Sequence, residues 1–425
     1  MERFFGLIGI LVIFLIAFLM SNNKKLINIK TVGMGFLLQI LLAVFVLKTP
    51  VGQAIFYDIG LFIQKILQFS NQGAAFLFGP LSDNIKLGNV FGKGSIVFAV
   101  QLLATTIFVS VIVNILYYYK IMQRVIAILS KGMYKLMNVS GAESFSNVAS
   151  AFVGQIMAQI MIKPYLPNLT RSELLASMTG SMACISGAVM AIYIGMGIPA
   201  QYLLAASIMA APGALVISKI VYPEDGTPQT QGEVKISKRR THVNVVDSIA
   251  RGASDGFSVA LKVFAVLIAF VALIAMIDWL LGKTGIFLHN ALHINLSFIG
   301  LDIDNLSMKA IVGKLFGLFA YVMGVPLKDS SIVGSLMGTK FILNEMLGYI
   351  DLISVKNLIA DKSFIIASFA LCGFANISSI AIQIGGIGEI APNQRKNISR
   401  LGLRALICGT LASYMSACIA GILLG

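Results

Sequence analysis

The chain has 425 residues, of which 57% are hydrophobic and only 12% charged. Soluble domains carry about 25% charged residues, so this composition, with a mean hydropathy of +0.88, excludes an ordinary water-soluble domain and makes lipid the main solvent. The net charge of +14 is spread through loops between apolar runs, which is a topology signal and not a nucleic-acid-binding patch.

Apolar runs of membrane-spanning length recur along the whole chain, and a run of about 20 residues crosses the hydrocarbon core as a helix. Strand-period alternation is absent, so the expected fold is an all-α polytopic membrane protein. In chain order, spans are expected at 4–20, 31–48, 95–118, 172–195, 200–221, 256–281, 364–386 and 401–423. The first run is too long for a signal-peptide core and lacks a small-residue cleavage site, so it reads as a span. Residues 52–70 carry Asp58, Lys65 and Gln68 among apolar positions, as suits a helix lying in the interface. Residues 141–167 and 322–350 are too polar to face lipid and too apolar for a water-exposed loop. Re-entrant hairpins buried in protein meet both constraints.

Basic residues orient the chain. Lys24, Lys25 and Lys30 follow the first span, and Lys120, Arg124, Lys131 and Lys135 follow the third. Lys235, Lys238, Arg239, Arg240 and Arg251 lie in the polar stretch 222–251, and Arg395, Lys396, Arg400 and Arg404 sit between the last two spans. Eight spans and two returning hairpins put all four loops in the cytoplasm and both termini outside. The protein is thus expected in the inner (plasma) membrane of a bacterium.

The stretch 222–255 reads as a basic linker between two similar halves. Residues 1–140 form a scaffold region with the interfacial helix, and 256–321 form a scaffold span and outer loop. Residues 141–221 and 322–425 are the two transport repeats, each a hairpin followed by two spans. Gly154-Gln155 and then Ala183-Cys-Ile-Ser-Gly187 in the first repeat correspond to Asn344-Glu345 and then Gly373-Phe-Ala-Asn-Ile-Ser-Ser379 in the second. Paired interrupted segments point to an inverted-repeat secondary transporter. Close packing through small residues is the alternative, but it does not call for an acid at the depth of Glu345.

A carboxylate near the bilayer centre costs about 2.5–3.5 kcal/mol on insertion scales. Glu345 is therefore expected either to pair with Lys340 or to bind a ligand. An ionised carboxylate can accept hydrogen bonds from both hydroxyls of a vicinal diol, which favours the ligand role. Asn376, Ser378 and Ser379 interrupt the span 364–386 at its centre, and such residues compete for backbone groups, so local unwinding is expected there. Interhelical hydrogen bonding by the same side chains is the alternative. Cys184, Cys372, Cys408 and Cys418 lie inside apolar runs without metal-ligand spacing. His242, His289 and His293 fall in or near loops, and no nucleophile–base pair occurs, so no enzyme and no cofactor are expected.

The string GVPLKDSSIVGSLMGTKFILNE followed by CGFANISSIAI resembles the concentrative nucleoside transporter family, and RSELLASMTGSMACISG and AASIMAAPGALVISK resemble the same family's core. The resemblance runs over nearly the whole chain. It implies a homotrimer in which each protomer has its own elevator-like transport domain. It also implies nucleoside as substrate, with ribose at Glu345, Asn376 and Ser379 and Phe374 as an apolar neighbour. Family members read Gly-Gln-Thr-Glu or Gly-Gln-Ser-Glu in the first hairpin, where this chain reads Gly154-Gln155-Ile156-Met157. Gln155 can still address a base edge, whereas Ile156 and Met157 replace polar contacts by apolar surface; Val189 matches a further base-contacting position. A purine or modified nucleoside is the expected preference.

The family's sodium ligands fall on Ser150, Val153, Cys184 and Ile185. Thiol sulfur is a poor ligand for a hard cation, so three readings are open: sodium held with less side-chain help, protons carried by Glu345, or an uncoupled facilitator. Protons are favoured over sodium. A non-transporting nucleoside sensor and a carrier of another ribosyl-type molecule are the alternatives to a cation-coupled importer.

Overall fold

The computed structural model describes residues 2–91, 97–230, 243–292 and 302–424. Lys235, Lys238, Arg239, Arg240, His242 and His293, named above as loop residues, lie outside them. The first third comprises α1 (Glu2–Leu19), α2 (Ile29–Lys48), α3 (Pro50–Phe78), α4 (Asn84–Phe91), α5 (Phe98–Tyr118) and α6 (Ile121–Met137). The first repeat follows as α7 (Gly141–Val153), α8 (Gln155–Met161), α9 (Arg171–Ala183), α10 (Gly187–Gly195) and α11 (Ala200–Val221). Next come α12 (Val245–Leu292) and α13 (Met308–Val322), then the second repeat: α14 (Leu327–Ile342), α15 (Glu345–Ser354), α16 (Asp361–Leu371), α17 (Ile377–Ile390) and α18 (Arg395–Leu424). The protein is an all-helical polytopic membrane protein.

Six helical stretches among the described residues are long and apolar enough to cross a membrane, with α9 and α10 taken together as one. α1 and the pair α16–α17 are shorter apolar helices and occupy the other two stretches expected as spans. Residues 52–70, expected as an interfacial helix, fall within the longer helix α3, capped by Thr49, whose hydroxyl accepts from Gly52 N. Tyr57, Phe62, Phe69, Phe76 and Leu77 of α3 are exposed.

The stretch 172–195 is a candidate span as expected, with its interruption at 184–186 between α9 and α10. Other expectations need correction. The expected span 256–281 is the middle of a 48-residue helix, α12, about 72 Å long at 1.5 Å per residue. It runs along α5, with Gly252 against Val111 and Gly256 against Ile107. The region beyond it contains a helix, α13, that bends by 120° into α14, so the second hairpin is α14 and α15 rather than 322–350. α6, which was not expected, is amphipathic: Ile126, Ser130, Met133 and Met137 face inward along one stripe.

The first repeat is anchored at two of its helix starts by capping boxes: Ser140 and Glu143 cap α7, and Thr170 and Glu173 cap α9. The basic linker also contributes structure. Gly141 N donates to Thr230 O at 2.8 Å and Ala142 N to Thr230 Oγ1 at 3.0 Å. Lys219 of α11 pairs with Glu143 at 2.8 Å and Glu224 at 3.3 Å, with Lys219 and Glu143 both buried.

Removing one partner of a buried ion pair strands the other charge, at a cost of about 3–5 kcal/mol. Lys219→Met is therefore expected to lower the thermal unfolding midpoint in detergent sharply. Restoring charge balance with Glu143→Gln in the same chain should recover part of the loss.

Candidate functional site

Four helix starts meet where the two repeats face each other. Each repeat supplies a hairpin tip, Val153–Gln155 and Ile342–Glu345, and a broken span, at 184–186 and 372–376. A helix beginning inside the membrane leaves backbone N–H groups without intrahelical partners. Here the side chains at the starts provide acceptors. Ser186 Oγ accepts from Val189 N at 3.4 Å, Asn344 Oδ1 from Leu347 N at 2.9 Å, and Asn376 Oδ1 from Ser379 N at 2.9 Å. The local unwinding expected at the centre of this span is present over 372–376; Asn376 is its last, extended residue and caps α17, while Ser378 and Ser379 lie in the first turn of that helix.

The two broken spans cross. Phe374 N donates to the Cys184 carbonyl at 3.4 Å. Gly373, at φ +129, lies so close that an added Cβ would stand 2.6 Å from the Ala183 oxygen. The tip of the first hairpin turns at Gly154, at φ +85, with an added Cβ 3.1 Å from Ser186 Cβ. Glycine meets both the left-handed backbone and the close approach.

Glu345 opens α15 and is 6% exposed. Its Oε1 accepts the Tyr193 hydroxyl at 2.8 Å, and its Oε2 accepts Asn376 Nδ2 at 3.3 Å. Gln155 Nε2 donates to Ser379 Oγ at 3.1 Å. Glu345, Asn376, Ser379 and Gln155, four candidates from the sequence, are thus brought together, and both bonds that join the hairpins to the opposite repeat run through them. The buried Gln155 Oε1 has no hydrogen-bond partner among the described atoms. Around this polar group Ile156, Val189 and Phe374 are partly exposed, and Met157 is 45% exposed. Ile156 packs on Gly386 of α17.

Among the described residues no ion pair joins Glu345 to Lys340. Lys340 is fully buried and donates to the Ala370 carbonyl at 2.8 Å, an oxygen of the last turn of α16. Tyr349 Oη donates to Ser368 O and Ser413 Oγ to Cys372 O, both at 2.8 Å. Three side chains thus close the C-terminal end of α16, where a cation is also favoured by the helix dipole. The alternative of a Lys340–Glu345 salt bridge is corrected by this arrangement.

The positions expected to hold a cation are only partly assembled. Ser150 Oγ donates to Ser146 O at 2.7 Å and lies 3.1 Å from Ser181 Oγ. The Cys184 thiol points to Ser207 O on α11, at 3.8 Å. The Ser150 hydroxyl and the Cys184 thiol are thus directed at different partners. Tyr193, which contacts Glu345, was missed by sequence reading; its signal was a hydroxyl one helical turn after Val189 on an otherwise apolar face.

Three family models match the chain: "Na+ dependent nucleoside transporter C-terminus" over residues 202–421, "Na+ dependent nucleoside transporter N-terminus" over 8–81, and "Nucleoside recognition" over 99–200. The nucleoside permease NupC of Helicobacter pylori is 39% identical over 426 residues, covering 99% of this chain and 98% of that one. Sodium/nucleoside cotransporter 1 of Rattus norvegicus is 34% identical, covering 99% of this chain and 64% of that one. A structure of CNTnw in an inward-facing substrate-bound state superimposes with a TM-score of 0.91 at 40% identity, covering 100% of this chain and 98% of that one.

Forcing a Cβ onto position 373 should open the crossing of the broken spans. A non-glycine residue in such a conformation costs about 1–3 kcal/mol before the clash with Ala183 O is counted. Gly373→Ala is expected to unfold several degrees below the parent protein in a detergent melt, and a coincident melt would contradict the crossing geometry.

Proposed function

The chain belongs to the Na+-dependent nucleoside transporter family, and from that premise we propose that it imports nucleosides by moving its paired hairpins and broken spans as one unit across the membrane. The observation that carries this reading is the Glu345 carboxylate, held between Tyr193 and Asn376 at the meeting point of both repeats. A carboxylate so placed has acceptor capacity left for the neighbouring hydroxyls of a ribose. Asn376 and Ser379 complete the sugar side. Gln155, with its unpartnered Oε1, takes the edge of the base, and Gly154 lets the hairpin backbone approach it.

Ile156, Met157, Val189 and Phe374 make the rest of the base site apolar. Such a surface leaves the carbonyl and imide groups of uracil unpaired, at about 1–3 kcal/mol for each buried unsatisfied group. A larger aromatic base gains contact instead, and the flexible Met157 can pack against it. Purine nucleosides, or nucleosides with a modified base, are the favoured cargo.

The family implies a coupling cation. The turned-away thiol of Cys184 and the committed hydroxyl of Ser150 leave a sodium ion little side-chain oxygen, while hard cations want several oxygen ligands. That supports protons as the driving ion, with Glu345 as the carrier. The resemblance to the family further supports a homotrimer, and the basic loops support a bacterial inner membrane with both termini outside.

When radiolabelled nucleosides are supplied outside proteoliposomes, uptake should follow an imposed proton gradient and be indifferent to sodium; strict sodium dependence would overturn the coupling assignment. Glu345→Gln exchanges a charged acceptor for a neutral amide, and hydrogen bonds to charged groups contribute about 1.5–3 kcal/mol. Ribonucleoside affinity should therefore fall by about 10- to 100-fold, and 2′,3′-dideoxynucleosides should bind the parent protein correspondingly weakly. In the same binding assay adenosine or inosine should outrank uridine, and uridine as the tightest ligand would sink the base assignment.

A further inference from the structure

Resting on the ribose reading above, the geometry points to Tyr193 as the residue that positions Glu345 and so sets the preference for ribonucleosides over sugars lacking the diol. Tyr193 belongs to α10 in the first repeat, Glu345 to the hairpin of the second, and their 2.8 Å hydrogen bond spans the two. Tyr193 is fully buried and its hydroxyl is directed at Oε1 alone among the described atoms. Its ring leans on that of Tyr349, with centroids 4.4 Å apart at 37°. Tyr349 cannot compete for the carboxylate, because its own hydroxyl is spent on Ser368 O.

The consequence is a defined orientation of a group that would otherwise rotate. A carboxylate at a helix start has a freely turning side chain unless something fixes one oxygen. Tyr193 fixes Oε1, and Asn376, at the longer distance of 3.3 Å, shares Oε2. The sugar hydroxyls then meet a preoriented acceptor pair, and preorganisation lowers the ordering cost of binding. Val189 lies four residues before Tyr193 on the same face of α10. One helix thus carries a base-contacting residue and the residue that aims the sugar-binding carboxylate, which fixes the spacing between base and ribose subsites.

The experiment compares the dissociation constants of a ribonucleoside and its 2′,3′-dideoxy analogue, in detergent, for the parent chain, Tyr193→Phe and Tyr349→Phe. Tyr193→Phe is expected to weaken the ribonucleoside about 10-fold, the scale of one charge-assisted hydrogen bond, and to leave the dideoxy analogue unchanged. The affinity ratio should then collapse towards one. Tyr349→Phe removes a hydroxyl of equal burial that does not touch Glu345, and should preserve the ratio. A parent protein that does not discriminate the two ligands defeats the ribose reading itself. A discriminating parent whose ratio survives, or rises, in Tyr193→Phe overturns the role of Tyr193 alone. Should that variant not fold, 3-fluorotyrosine incorporated at 193 keeps the shape while strengthening the donor; an unmoved ratio in that protein is equally fatal.

Discussion

The architecture depends on satisfying backbone groups where helices begin and end inside the membrane. Lipid offers no hydrogen bonds there, so every interrupted helix must be closed by protein. The starts of α10, α15 and α17 are closed by Ser186, Asn344 and Asn376. The end of α16 is closed by Lys340, Tyr349 and Ser413, and the end of α9 meets the backbone of Phe374. Polar side chains in the centre of this protein are therefore of three kinds. Some complete a helix end, others tie helix bodies together, as Gln159 does with Ser177 and Ser181, and Glu345 and Gln155 keep acceptor capacity.

That division explains which parts of the site were legible in the sequence. The hairpins, the two-fold repetition and the special place of Glu345 could be read because acids and Gly-Asn-Ser clusters stand out against an apolar background. The interruption at Ala183–Gly187 could be read as well, but not what closes it: the crossing with Gly373 and Phe374, a contact made between residues far apart in the chain. Lys340 shows the same limit. Five residues from Glu345 and opposite in charge, it reads as a salt-bridge partner, yet hairpin geometry turns it toward a carbonyl of α16.

Outside the site, hydropathy located the spans well but misjudged their ends. α12 extends far beyond its most apolar stretch because no proline stops it and its first turns pack on α5 through Gly252 and Gly256. α6 and α13 were passed over because basic residues interrupt them, Arg124, Lys131 and Lys135 in α6 and Lys309 and Lys314 in α13, and their helical period shows only when one face is known to pack on the rest of the protein. The linker's fold was hidden as well, because Thr230 acts as a backbone and side-chain partner for the start of α7, a role that polar composition cannot announce.

The placement of Glu345 also bears on how one site can serve both binding and movement. The hydrogen bonds from Tyr193 and Asn376 stay with the Glu345 carboxyl group when hairpin and broken spans are displaced as one body. Gln155 and Ser379 do the same for the first hairpin. The Tyr193–Glu345 and Gln155–Ser379 ties each join a hairpin of one repeat to a broken span of the other, so neither hairpin can shift against the opposite span without breaking a buried hydrogen bond, at about 1–3 kcal/mol for each group left unpaired. Displacing the whole assembly breaks none of them. The polar contacts that would recognise a nucleoside are in this way the same contacts that make both repeats move together.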